Sequence, residues 1–163
     1  VYVGSISNDR EIINLLEKFA KNIKTSSLLM IGEPEKELYE KYKNFSNIIF
    51  TGKLKYQDVP QIASQAEYAI NYIPDRYPYN LQTSTKLLEY VAMNLKIITT
   101  DYQWVNEFEK NRKMKFFRIS ADLKKFNINE LKKFKFKNTD ISDLQWKLII
   151  NNSNINNIVK QII

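Results

Sequence analysis

The chain has 163 residues and a formal net charge of +7, and it contains neither cysteine nor histidine. The lack of cysteine excludes a disulfide scaffold, a thiolate metal site and a cysteine nucleophile. The lack of histidine excludes mechanisms in which an imidazole of this chain is the general base, so acid–base chemistry here must use Asp, Glu, Lys or Tyr.

Short apolar runs alternate along the chain with segments of helical periodicity. The runs predicted as strands are Val1–Gly4, Leu28–Gly32, Ile48–Gly52, Tyr68–Ile73, Lys96–Thr100 and Lys115–Ile119. The segments predicted as helices are Glu11–Asn22, Glu35–Lys43, Val59–Gln65, Lys86–Met93, Gln103–Lys110 and Leu123–Phe134. The continuous apolar runs are typical of strands covered on both faces. We therefore predict one α/β domain over residues 1–163, with a doubly wound, parallel, six-stranded Rossmann-like sheet and helices on both faces.

The two ends of the chain are less regular. Residues 140–163 are predicted to form one or two closing helices, with Trp146 in the core and a break within "NNSNINN". The start at "VYVGS", without Met, indicates a piece that begins inside a strand. No run of about 18 apolar residues is present, so we expect neither a transmembrane helix nor a signal peptide.

In a doubly wound sheet a ligand binds beyond the carboxyl ends of the strands, where the strand order reverses. For the order 3-2-1-4-5-6 that point lies between strands 1 and 4. The loops that follow these strands are "GSISNDR" and the long "PDRYPYNLQTST". These two loops are the predicted site.

The first loop carries a glycine and a cation. Gly4 permits close approach of a backbone or ligand, and the guanidinium of Arg10 can bind a phosphate through two hydrogen bonds. The loop is not a G-x-G-x-x-G motif, so it gives little support to a dinucleotide site. The alternative is an ordinary turn in which Asn8 or Asp9 caps the first helix.

The second loop leads into a helix with exposed first-turn amides. Ser84 or Thr85 can cap this helix, and the amides of Thr83 to Lys86, with the Lys86 charge, can bind a diphosphate. Glu89 lies one turn further on, where its two carboxylate oxygens can accept hydrogen bonds from a cis-diol such as ribose. The alternative is a capped helix with a solvated glutamate.

Four stretches, in order, carry a family resemblance: "YVGSI", "LLMIGEPEKEL", "NIIFTGKLKYQDVPQIASQAEYAINYIP" and "TSTKLLEYVAMNLKIITTD". Together they resemble the C-terminal, donor-binding domain of the retaining glycosyltransferases of GT-B architecture, glycosyltransferase group 1 (family 4). The resemblance covers about residues 1–110.

The resemblance implies roles for particular residues. Glu89 would hold the nucleotide ribose, the amides of Thr83, Ser84 and Thr85 would meet the diphosphate, and Arg10 would neutralise it. The implied catalytic residues are Arg10, Lys86 and Glu89. The implied nucleotide-binding residues are Gly4, Ser5, Arg10, Gly32, Glu33, Leu54, Tyr56, Thr83, Ser84, Thr85, Lys86 and Glu89.

The sequence also departs from the family pattern. Leu81 stands where the family has a first glutamate that contacts the donor sugar, and Ser5 stands where many members have an arginine on the diphosphate. Ser84, Asn94 and Lys96 replace a proline, a glycine and a second proline, which affects turn geometry more than chemistry.

The resemblance further implies a reaction and its partners. The donor would be a UDP-sugar or GDP-sugar, with no metal or other cofactor, and the acceptor, saccharide or lipid-linked, would bind an N-terminal domain absent from this chain. We expect the chain alone to bind nucleotide but to transfer little or no sugar. The full protein would be a hexosyltransferase of bacterial surface polysaccharide, lipopolysaccharide or capsule synthesis, cytoplasmic or peripheral on the inner face of the membrane.

Three other functions have less support in the sequence. A sugar-nucleotide epimerase should need histidine and further carboxylates. A basic binding module for nucleic acid or another anion would use aromatic residues interleaved with lysine, which only Phe126–Phe136 offers; no nucleic acid partner is expected. A response-regulator-like domain would need an acidic pair after the first strand, and "VGSIS" has none.

Overall fold

The computed structural model describes residues 1–153, apart from the side chain of Trp146. The strands are β1 (Tyr2–Val3), β2 (Leu28–Ile31), β3 (Ile48–Phe50), β4 (Tyr68–Asn71), β5 (Lys96–Thr100) and β6 (Phe117–Ile119). The helices are α1 (Ile12–Asn22), α2 (Lys36–Tyr42), α3 (Val59–Ala63), α4 (Thr85–Ala92), α5 (Gln103–Arg112), α6 (Ile128–Lys133) and α7 (Trp146–Asn152). The predicted core position of Trp146 and the predicted helix beyond residue 153 lie outside the described residues.

The elements predicted from apolar periodicity are present, with one clear difference in length. Helix α6 begins at Ile128 and not at Leu123. Leu123 has a positive φ of 54°, which a right-handed helix does not allow. The side chain of Asn127 accepts a hydrogen bond from the Asn129 amide at 2.8 Å and so caps the shorter helix.

The strands form two parallel three-stranded sheets, in the orders β1-β2-β3 and β4-β5-β6. The predicted α/β fold with parallel strands is confirmed, whereas the predicted single six-stranded sheet is not shown. Strands β1 and β4 are neighbours at Val1, whose nitrogen donates to the Tyr68 carbonyl at 2.6 Å and whose carbonyl accepts from the Ile70 amide at 2.8 Å.

The hydrogen bonding between β1 and β4 stops after Val1. In a parallel pair, alternate residues face the same neighbour, so the Val3 amide faces the β4 side. It donates instead to the hydroxyl of Tyr90, in α4, at 2.8 Å. The two strands stay adjacent, but the Val3 amide is not paired with β4 where the predicted crevice begins.

Helices cover both faces, as predicted. One buried cluster contains Tyr2, Met30 and Ile98 together with the apolar residues of α1, α2 and α6. The other contains Ile31 and Ile97 together with those of α3, α4 and α5. Successive residues of a strand thus belong to opposite clusters, which is the burial that continuous apolar runs require.

The Tyr90 hydroxyl gives a test of the strand junction. Tyr90→Phe should lower the free energy of unfolding by about 1–2 kcal/mol, because it leaves the half-buried Val3 amide without its partner. Urea unfolding followed by circular dichroism measures this. Tyr77→Phe is the control, since Tyr77 is 79% exposed; equal effects of the two changes would contradict the assignment.

Candidate functional site

The carboxyl ends of β1 and β2 meet at two glycines. The Gly4 amide donates to the Ile31 carbonyl at 3.0 Å. Gly32 has a φ of +147°, and a β-carbon there would overlap the carbonyl oxygen of Gly4. Only glycine fits this junction without a shift of the backbone, so the "IGEP" turn lies directly against the first loop.

A buried hydrogen-bond network fixes the start of α4. The Ser84 hydroxyl donates to Asn71 Oδ1 at 2.7 Å and accepts from the Leu87 amide at 3.3 Å. Asn71 Nδ2 donates to Thr99 Oγ1 at 2.9 Å and to the Tyr102 hydroxyl at 3.1 Å. Ser84 therefore caps the helix, and its side chain is already occupied.

The first turn of α4 still has free donors. Within residues 1–153, the amides of Thr85 and Lys86 donate no hydrogen bond. The side chains of Thr83 and Thr85 are exposed on either side of the buried Ser84. An anion at this helix end would meet unpaired N–H groups and the positive end of the helix dipole.

Lys86 lies beside the first loop. Its Nζ is 4.2 Å from the centroid of the Tyr2 ring and 3.9 Å from the place a Gly4 β-carbon would take. In the described part of the chain it has no carboxylate at ion-pair distance. Burial, and then the positive charge of Arg10, lower the pKa of Lys86 from 10.5 to about 7. A bound anion would remove this electrostatic cost.

Arg10 belongs to a 3₁₀ turn, Asn8–Arg10, directly before α1. Its guanidinium carbon is 4.4 Å from the centroid of the Tyr79 ring. The residue at the N-cap of α1 is Glu11, with a φ of 53° and no side-chain cap bond. The alternative in which Asn8 or Asp9 caps α1 is therefore wrong: the intervening turn moves both away from the helix start.

The long second loop is tied to the first by residues that sequence reasoning missed. Arg76 Nε is 3.2 Å from Glu11 Oε1, and Arg76 Nη2 donates to the Asp9 carbonyl at 2.7 Å. Tyr79 lies in a second 3₁₀ turn, Tyr79–Leu81. The unusual length of this loop was a signal of function, but it did not indicate which of its side chains would make contacts.

Glu89 is paired with another predicted site residue. The hydroxyl of Tyr56 donates to Glu89 Oε1 at 3.0 Å, although the two residues are 33 positions apart. This bond raises the pKa of the exposed Tyr56. Leu54 lies just before it and packs at the edge of the second core cluster.

The remaining predicted residues lie at the rim. Glu33 Oε2 accepts from the Lys53 amide at 3.3 Å and links the ends of β2 and β3. Ser5 is exposed, and its hydroxyl donates to Ser7 at 3.3 Å. The structure thus brings together Gly4, Arg10, Lys86 and the start of α4, and separately Tyr56 with Glu89; within residues 1–153 no hydrogen bond joins Ser5 or Glu33 to either group.

Other features of the described residues give little support to alternative sites. Phe134 and Phe136 pack on one another at 4.9 Å and against the first core cluster, so they do not present faces on which bases could stack. Residues 1–153 contain no group of three acidic side chains placed to bind a metal. No helix in that range has the length and apolar content that crossing a membrane requires.

A cavity of about 310 Å³ lies at the other end of the strands from the predicted site. It is lined by residues that begin strands, Leu28 and Tyr68, and by Phe126 and Leu131. It therefore lies at the amino ends of the strands, away from the predicted site.

The protein belongs to a known family. A family model described as Glycosyl transferases group 1 matches residues 1–126, which is most of the chain. This confirms the resemblance found in the sequence. Among curated protein sequences, none matches this chain significantly.

The fold is similar to that of Anabaena Alr3699/HepE in three crystal structures. The complex with UDP-glucose has a TM-score of 0.56 and 10% identity over 74% of this chain. The complex with UDP has a TM-score of 0.57 and 10% identity over 75% of this chain. The complex with UDP and glucose has a TM-score of 0.57 and 11% identity over 75% of this chain. This chain covers 35% of each of those chains. At such low identity the similarity concerns the fold.

The uncompensated lysine gives a pH-dependent prediction. Between pH 10.5 and about 7 the unfolded chain binds more protons at Lys86 than the folded chain does, so the cost of Lys86 to stability grows as the pH falls through this range. Lys86→Met should raise the free energy of unfolding at pH 7 by on the order of 1–2 kcal/mol, and by less at pH 9.5.

Urea unfolding at the two pH values measures the difference. Lys36→Met is the matched control, because Lys36 is exposed and should give the same small effect at both values. A Lys86→Met effect that does not change with pH would contradict the assigned environment.

Proposed function

We propose that this chain is the donor-binding domain of a retaining glycosyltransferase and binds a nucleoside-diphosphate sugar beyond the carboxyl ends of β1 and β4. One observation carries the proposal. Two cations without carboxylate partners in the described residues, Arg10 and Lys86, lie near free amides at the start of α4, one turn from Glu89. That arrangement offers charge neutralisation for a diphosphate and a carboxylate for an adjacent diol.

The proposed roles follow the order of groups in the ligand. The diphosphate would bind between Arg10, Lys86 and the amides of Thr85 and Lys86. The ribose hydroxyls would bind Glu89, and the base would lie beside Leu54 and Tyr56. Gly4 and Gly32 would let the ligand approach the backbone, with Ser5, Glu33, Thr83 and Ser84 around it.

The proposed chemistry is stabilisation of a leaving group. Glycosyl transfer breaks the bond between the sugar carbon and the diphosphate oxygen, and negative charge develops on that oxygen. Arg10, Lys86 and the α4 dipole would stabilise this charge without a metal. In a retaining front-face reaction the leaving phosphate accepts the acceptor proton, which suits a chain without histidine.

The rest of the reaction would require protein outside this chain. The chain spans about a third of the length of the similar solved structures. We propose that an N-terminal domain binds a saccharide or lipid-linked acceptor, and that the whole protein is a hexosyltransferase of bacterial surface polysaccharide or glycoconjugate synthesis, cytoplasmic or peripheral on the membrane. We also propose that β1 and β4 belong to one doubly wound sheet, which the two Val1 hydrogen bonds support.

Calorimetric titration of the 163-residue chain with UDP, GDP and ADP tests the proposal. We expect saturable binding of UDP or GDP, and a loss of about 1–3 kcal/mol of binding free energy in Glu89→Ala, because the ribose loses a charged acceptor. Glu107→Ala, at an exposed position of α5, is the matched control and should bind as the unchanged chain does. Folded protein that binds none of the three nucleotides at millimolar concentration would refute the proposal.

Tyr56 competes with the proposed diol for Glu89. Tyr56→Phe keeps a ring beside the base but removes the hydroxyl that donates to Glu89, so it should tighten binding of the accepted nucleotide by about two- to five-fold. The affinity for the 2′-deoxy form of that nucleotide should increase less, because this form has one hydroxyl fewer to donate to the Glu89 carboxylate. Weaker binding by Tyr56→Phe would mean that the Tyr56 hydroxyl itself contacts the ligand.

A further inference from the structure

Tyr79 contacts both arginines of the two site loops. The guanidinium carbon of Arg10 is 4.4 Å from its ring centroid, and that of Arg76 is 5.0 Å away. A cation over an aromatic face is attracted by the negative charge of the ring face. Tyr79 belongs to none of the four stretches quoted for the family resemblance.

The two arginines differ in what neutralises them. Arg76 is paired with Glu11 at 3.2 Å and donates to the Asp9 carbonyl. Arg10 has no carboxylate at ion-pair distance within residues 1–153. The Tyr79 ring attracts the Arg10 guanidinium but does not neutralise it, so the charge of Arg10 remains available to a ligand.

The Tyr79 ring is itself held in place. Tyr79 is half-buried and packs against the second core cluster, and its 3₁₀ turn contacts α5. A guanidinium that lies over a ring keeps its N–H donors, which point outward in its own plane, for an anion. It also loses little rotamer freedom when the anion binds, because the ring already restricts it.

We propose that Tyr79 is a positioning residue for the anion site, whose ring orients the Arg10 guanidinium towards the diphosphate. The inference extends the proposed function and depends on it, because the anion is the diphosphate of the donor. It assigns a role to the long second loop: the loop carries the ring that orients the cation of the first loop. Arg76 fastens the two loops together through Glu11 and the Asp9 carbonyl.

The test separates the diphosphate from the rest of the nucleotide. Tyr79→Leu should weaken binding of UDP by roughly two- to five-fold, the effect of one cation–ring contact. Binding of uridine, which has no phosphate, should not change. Tyr79→Phe should restore UDP binding, since it keeps the ring face. Calorimetry measures the binding of UDP, and an NMR titration measures the binding of uridine. If the chain binds GDP and not UDP, GDP and guanosine are used in their place.

A double-mutant cycle distinguishes positioning from a general effect on the loop. In an Arg10→Gln background, Tyr79→Leu should have no further effect on UDP binding. Tyr68→Leu is the matched control, because it removes a comparable contact with Lys96, 5.2 Å from its ring, at the far end of β4. It should leave UDP binding unchanged.

The possible failures are distinguishable. Equal losses for UDP and uridine, or a Tyr79→Leu effect that persists without Arg10, would overturn the positioning role while leaving the proposed function in place. The positioning role would also be overturned, and the proposed function left in place, if Tyr79→Leu bound UDP unchanged while Arg10→Gln bound UDP more weakly. No nucleotide binding by the unchanged chain would overturn both.

Discussion

The positive charges of Arg10 and Lys86 are the physical constraint on which the site depends. Neither side chain has a carboxylate partner in the described residues, and both lie beyond the carboxyl ends of the strands. Half-buried Lys86 has a pKa lowered to about 7 by burial and by Arg10, so its positive charge destabilises the folded chain. Residues that reduce stability in this way are common where function requires them. The unpaired amides at the start of α4 add further uncompensated positive charge. A ligand with two or three negative charges would neutralise it.

The fold shapes this part of the molecule by ending the β1–β4 hydrogen bonding early and by fixing a helix. The Val3 amide faces β4 but donates to the Tyr90 hydroxyl, so it is not paired with a β4 carbonyl. On one side, Gly32 allows the second βα turn to touch the Gly4 carbonyl. On the other, the Ser84–Asn71 pair locks the N-terminus of α4 to the end of β4. The free amides of the first turn and Glu89 are thereby held on the same helix.

The sequence predicted those features that depend on local pattern. Continuous apolar runs located the strands, and the "TST" before an amphipathic segment located the cap of α4. Asn94, in place of a family glycine, ends α4 with a φ of 55°, which asparagine tolerates. Contacts between distant residues could not be read in this way. The Tyr56–Glu89 bond joins residues 33 positions apart, and the Arg10–Tyr79 contact joins two loops. The position of the Tyr90 hydroxyl, which accepts the hydrogen bond of the Val3 amide, depends on how α4 packs.

A crystal structure of the chain with UDP, or with GDP if that is the nucleotide bound, would show whether the two cations bind a diphosphate. The expected result is phosphate oxygens within hydrogen-bond distance of the Arg10 guanidinium and of the Thr85 or Lys86 amide, with the ribose hydroxyls on Glu89. Nucleotide bound in the cavity at the amino ends of the strands, beside Tyr68 and Phe126, would contradict it. So would a nucleotide at the crevice whose phosphates contact neither Arg10 nor Lys86.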